Sequence, residues 1–102
     1  ISQARIANAV EMLAKAIEIA GTADDVVPVA YALEGMEHDS IWGGKVFMRP
    51  DDHQAIQNVH IGAHTNENIR HPLDNSEYGL LDTTTVEMAA MDSPTTCKMN
   101  RP

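Results

Sequence analysis

The chain has 102 residues, 15 Asp and Glu against 7 Lys and Arg, and a formal net charge of −8. That balance, without any clustered Lys/Arg stripe, argues against nucleic acid as a partner, because phosphate binding begins with a positive patch. Four aromatic residues, Tyr31, Trp42, Phe47 and Tyr78, are too scattered for a base-stacking platform, and no apolar run is long enough to cross a bilayer.

The first element is read from Ser2 to Ala20, where Ile6, Val10, Leu13 and Ile17 recur at helical steps and Lys15 and Glu18 fall off that stripe. Ser2 is expected to cap its start, and Gly21 stands where a left-handed terminal residue ends a helix. Six alanines add propensity and allow close approach of a neighbour. The chain opens almost at once into this helix, with no initiator methionine, signal peptide or lipidation box, so it is expected to be a piece of a longer protein.

Thr22 to Asp25 supplies a second cap. Pro28 fits only the first turn of a helix, which puts the cap at Asp24 or Asp25 and the helix end near Glu34 and Gly35. Val26, Val29, Ala30 and Leu33 form its apolar face. An acidic turn, Glu37 to Ser40, and the Gly43–Gly44 pair lead into a strand at Lys45 to Arg49. Turn residues Pro50 to His53 then lead into a second alternating run, Ile56 to His64. Two strands so close in sequence should pair as an antiparallel hairpin. Residues 1–64 therefore read as a helix, helix, hairpin segment, and 65–102 as an irregular C-terminal tail in which Thr83 to Met91 fits either a short strand or a helical turn.

Five histidines invite a stand-alone metal-binding or metal-dependent enzyme reading. His60 and His64, however, lie about 13 Å apart along a strand, and no third ligand is placed to join them. No metal, cofactor or catalytic group is therefore expected. Glu34, Glu37 and Asp39 read as a solvated helix end and turn, since nothing nearby splits their pKa values for acid and base work. Ser40 and Ser76 lack the setting of a nucleophile. Trp42, beside the glycine pair, reads either as a lid over apolar packing or as the wall of a ligand cleft. Cys97 is the sole cysteine and is compatible with a lost disulfide partner, an intermolecular bridge, a free thiol or a thiol without a role.

The run Ala32, Leu33, Glu34, Gly35, Met36, the strand Gly44 to Arg49, the trio Asp52, His53, Gln54 and the ending Pro94 to Pro102 together resemble the C-terminal segment of type I periplasmic solute-binding proteins. The branch most similar is the branched-chain-amino-acid receptors of ABC importers. That resemblance implies an α/β fold, here part of a two-lobed receptor, and a periplasmic location. It also implies a small solute as ligand, a membrane permease as partner and no catalysis. It further implies a cleft-edge or hinge role for Trp42, Asp52, His53 and Gln54, and a disulfide between Cys97 and a segment outside these residues. A chain of this length holding only part of a lobe would leave apolar surface uncovered, so a homo-oligomer is expected.

Overall fold

The computed structural model describes residues 2–102, and for Ser2 the backbone alone, so the cap expected from the Ser2 side chain lies outside what is described. Helix α1 runs Ser2–Ala20 and ends as its sequence dictates. Gly21, at φ 70°, takes the left-handed conformation open to a residue without Cβ, and its N–H donates to the Ile17 carbonyl at 2.9 Å. Thr22 Oγ1 accepts from the Asp24 and Asp25 N–H groups. Asp25 then caps α2 (Val26–Leu33) by accepting from Val27 N at 3.0 Å. Pro28 falls in the first turn of α2, where its missing N–H costs no hydrogen bond.

The core is built on the small face of α1. Ala4, Asn8, Met12 and Ala16, each four residues apart, are buried. Met12 and Ala16 pack with Val29, Met36 and Val46, and Ile17, Ala20, Ala32, Leu33 and Met48 close around them. The sequence pattern points to a different face, and here the structure corrects it. Ile6, Val10 and Leu13 are 63%, 61% and 46% exposed, while Ile17 alone of that stripe touches the core. At 3.6 residues per turn the two faces sit about 150° apart round the helix. The alanine face lets α2 and the sheet approach closely, so the branched residues turn outward. In α2, Val29 is buried and Val26 is 75% exposed.

Gly35, at φ 71°, hands the chain from α2 into a sheet by donating to the Met48 carbonyl. Three short strands follow: β1 (Glu37–Asp39), β2 (Lys45–Met48) and β3 (Ala55–Gln57), antiparallel in that order. The expected acidic turn at Glu37 to Asp39 is thus a strand. Its weak β propensity is offset across the ladder, where Lys45 Nζ lies 3.1 Å from Asp39 and 3.7 Å from Glu37.

The expected hairpin also needs correction. Of the run Ile56 to His64, β2 pairs only with the part before Asn58, and the run breaks at Asn58, whose Oδ1 accepts from Met88 N at 2.7 Å, where the chain turns into a second sheet. There β4 (Val59–Thr65) pairs with β5 (Gly79–Val86), with a bulge between Ile61 and Gly62. The stretch read as irregular therefore contains an eight-residue strand and, after it, one helical turn, α3 (Met88–Met91). Thr83 to Val86 joins the strand and the Met-Ala-Ala-Met run makes the turn, so both alternatives for that segment are present.

The second hairpin extends from the helical body, giving dimensions of 52 × 29 × 17 Å and a radius of gyration of 17.0 Å. A compact chain of this length has a radius of about 13 Å. The accessible surface of 7427 Å² likewise exceeds the roughly 5,700 Å² of a compact monomer of the same mass.

Candidate functional site

Two places gather the residues singled out in the sequence. The first is a cavity of about 110 Å³ where the start of α1, the β1–β2 turn and the Asn58 crossover meet. The turn is held by Ser40 N donating to Gly44 O at 3.0 Å and Gly43 N donating to Ser40 O at 2.9 Å, with Gly43 and Gly44 both at positive φ. It presents Trp42, whose backbone N–H is fixed by Ser40 Oγ at 3.2 Å and whose half-exposed ring lies 6.1 Å from the His60 ring. Asn8, 4% exposed, enters from α1 and donates Nδ2 to the same Ser40 Oγ at 3.0 Å, while its Oδ1 is buried without a partner among the described residues. His60 is oriented by its Nδ1, 3.1 Å from Thr85 Oγ1 and 3.3 Å from Asp82 Oδ2. Trp42 therefore lines a cavity, and it does so among polar groups.

The second place is the β2–β3 turn. Asp52 is held at both oxygens by Arg49, and its backbone neighbour Gln54 donates N–H to Oδ1 at 3.1 Å. The Arg49 guanidinium, foremost by its hydrogen bonds, holds the Asp52 carboxyl far below the usual carboxylate range. Asp52 in turn raises Arg49 above its ordinary value. Gln54 Oε1 accepts from Arg49 Nη2 at 2.9 Å. His53, at φ 54°, places Nε2 2.9 Å from Glu34 Oε1, and Arg101 donates to the same Glu34 oxygen. Those contacts, His53 first, lower the Glu34 pKa.

The tail closes over this turn. Arg49 Nη1 reaches Asp92 at 2.7 Å and the Ser93 carbonyl at 2.5 Å, Arg101 also donates to the Pro50 carbonyl, and Tyr31 Oη donates to the Pro102 carbonyl at 3.2 Å. The side chains of Asp52 and Gln54 thus hold Arg49, and His53 holds Glu34, the two residues that with Tyr31 and the Pro50 carbonyl fasten residues 92–102 to the first sheet and α2. Trp42 and this trio are not brought together: they belong to the turns at opposite ends of β2.

Cys97 is an exposed free thiol. His60 faces Trp42, whereas His64 stacks on Tyr78 with centroids 5.4 Å apart. Among the described residues no group of three His, Cys, Asp or Glu is placed to hold a metal. Lys45, by hydrogen bond and charge, holds the Asp39 carboxyl low, in keeping with a surface pair. Sequence reasoning missed Arg5 and Asn8. The available signal was Asn8 standing between Ala4 and Met12 at four-residue steps, a polar residue on the small face of α1.

No family model matches the chain, and no curated protein matches it either. Among solved structures it is similar to the leucine-, isoleucine-, valine-, threonine- and alanine-binding protein from Brucella ovis in its closed conformation. The TM-score is 0.77 and the sequence identity 24%, over 91% of this chain and 25% of that one. The chain has the fold of one segment of a periplasmic binding protein. It spans a quarter of the length of the solved protein it matches.

Proposed function

We propose that this chain is part of the solute-binding component of an ABC importer. Such a protein captures a small organic solute, an amino acid or a related acid or amide, in the periplasm and passes it chemically unchanged to a membrane permease. The observation that carries this reading is the TM-score of 0.77 over 91% of the chain to a protein whose described ligands are amino acids. Its extended shape and the apolar residues that α1 turns to solvent support it, since a two-lobed receptor would cover such a face.

In this reading Trp42 stands at the cleft edge and Asp52, His53 and Gln54 form a hinge-side anchor, a rigid turn on which interlobe closure pivots. Cys97, exposed on the tail, is available for a disulfide with a segment outside these residues. As an isolated chain, two copies cover each other's α1 faces. The test is calorimetry on the native protein recovered from its source with an antibody to this chain, titrated with aliphatic amino acids, amides and aromatic acids. Saturable binding of one class without turnover is expected. A native protein of this length alone, silent to every class, overturns the reading.

A further inference from the structure

We propose that the cavity beside Trp42 is a binding site for a small 2-hydroxycarboxylate of the size of glycolate or lactate. Its volume of about 110 Å³ sets the size, since a cavity of about 150 Å³ accommodates benzene. Its chemistry sets the class. Arg5 lines it and has no ion-pair partner among the described residues, leaving a guanidinium at the rim that matches a carboxylate in geometry and charge. Asn58 lines it too. Its Oδ1 is taken by Met88 N, while its Nδ2 has no partner among the described residues, and Gly44 leaves room for that amide, because a Cβ there would lie 3.0 Å from Nδ2. His60 turns Nδ1 to the Asp82 carboxylate, which can only accept, so in the neutral ring Nε2 is an acceptor, without a partner among the described residues.

The Arg5 and Asn58 donors call for an anion, and the acceptors Asn8 Oδ1 and His60 Nε2 add a second requirement. Asn8 Oδ1 is buried and unpartnered among the described residues, a costly state that a ligand N–H or O–H would relieve. An ammonium is the wrong donor. No Asp or Glu lines the cavity among the described residues, so a cation there would sit near Arg5 without a counter-ion. A neutral hydroxyl next to the carboxylate meets both needs, with the Trp42 ring as a wall.

Trp42 is the only tryptophan, so fluorescence excited at the red edge, where Tyr31 and Tyr78 do not absorb, reports this cavity directly. Titration of the full 102-residue chain with glycolate should give a saturable change, with half-saturation in the millimolar range or below. Acetate, which lacks the hydroxyl, and glycine, which replaces it with ammonium, should each bind at least about tenfold more weakly. Arg5→Gln, at an exposed position, should keep the fold by circular dichroism and weaken glycolate binding at least about tenfold. Asn8→Asp, nearly isosteric, should reverse the preference toward glycine. No saturable response in the folded wild-type chain, glycine binding as well as glycolate, or an unchanged response in Arg5→Gln would overturn the proposal. Because this titration uses the 102-residue chain alone, whereas the importer reading concerns the interlobe cleft of the native protein, a silent titration rules on this cavity and leaves that reading untouched.

Discussion

Arg49 grips Asp52 at both carboxylate oxygens, Nε donating to Oδ1 at 2.9 Å and Nη2 to Oδ2 at 2.5 Å. The two residues are three apart across the β2–β3 turn, with side chains only 12% and 11% exposed, so the fork closes the turn and leaves Nη1 free to hold the tail. The folded pKa of Asp52 therefore lies well below that of the unfolded chain. A depressed carboxylate pKa contributes stability that is fully present above the unfolded value of about 3.9 and is lost as pH falls toward the folded one. Glu34 shifts in the same direction. Urea midpoints should hold steady above about pH 5 and fall steeply below about pH 4. Asp52→Asn should lower the midpoint at pH 7 and show a shallower acid slope, and equal slopes for the two proteins would contradict the assignment.

The tail depends on few contacts: Arg49 with Asp92 and Ser93, Arg101 with Glu34 and Pro50, and Tyr31 with Pro102. Most of its residues are exposed. Local opening of such a segment is governed by those contacts and not by the core. Arg101→Ala should speed tryptic cleavage at Lys98 severalfold, while the urea midpoint of the body shifts by a small fraction of its value. Parallel loss of both would show that the tail is integral to the core.

Glycines separate two kinds of constraint. A Cβ on Gly79 would meet the His71 carbonyl oxygen at 2.8 Å and the Ile69 side chain at 3.2 Å, and backbone cannot yield as a flexible side-chain tip can. Gly79→Ala should cost about 1–3 kcal/mol through displacement of the β4–β5 hairpin. Gly35 has open space around it and a φ of 71°, so Gly35→Ala carries only the left-handed penalty of about 1–2 kcal/mol. Denaturation of both variants, with amide exchange in β5, tells the two apart: only Gly79→Ala should expose β5 amides.

What was legible in the sequence was local. Gly21, Asp25 and Pro28 act through their own backbone and nearest neighbours, as does Gly35 in its positive φ, and each does what its chemistry requires. What was not legible depended on partners distant in sequence. α1 is apolar on two faces, and the choice of Ala4, Met12 and Ala16 over Ile6, Val10 and Leu13 is made by how closely α2 and β2 can approach. Asn58 splits one alternating run into two sheets because Met88, 30 residues on, donates to it. β1 forms only by pairing its backbone with β2, where Lys45 also meets Glu37 and Asp39. The same limit applied to the cavity: Trp42 was visible as an aromatic in a glycine turn, but Arg5 and Asn8 join it only when α1 packs over that turn.

The last prediction concerns association. Ile6, Val10 and Leu13 make an exposed apolar ridge, and next to it lies a groove of about 510 Å³ between α1 and the first sheet, lined by Leu13, Leu33, Met48, Ile56 and Met91 among others. The surface exceeds that of a compact monomer by roughly 1,700 Å², comparable to the total area of a standard protein interface. At about 25 cal/mol per Å², even 200 Å² of this apolar ridge left in water represents about 5 kcal/mol of drive toward a partner surface. The isolated chain should sediment as a symmetric dimer at micromolar concentration. Val10→Asp places a charge on the ridge without touching the core, so it should raise the dimer dissociation constant at least about a hundredfold and lower stability only as far as folding depends on dimerisation. Met12→Ala, by contrast, opens the core and should cost about 2–5 kcal/mol, whatever the association state. A wild-type chain that sediments as a folded monomer and is as stable as Val10→Asp would show that the ridge is tolerated in water, and the dimer would have to be abandoned.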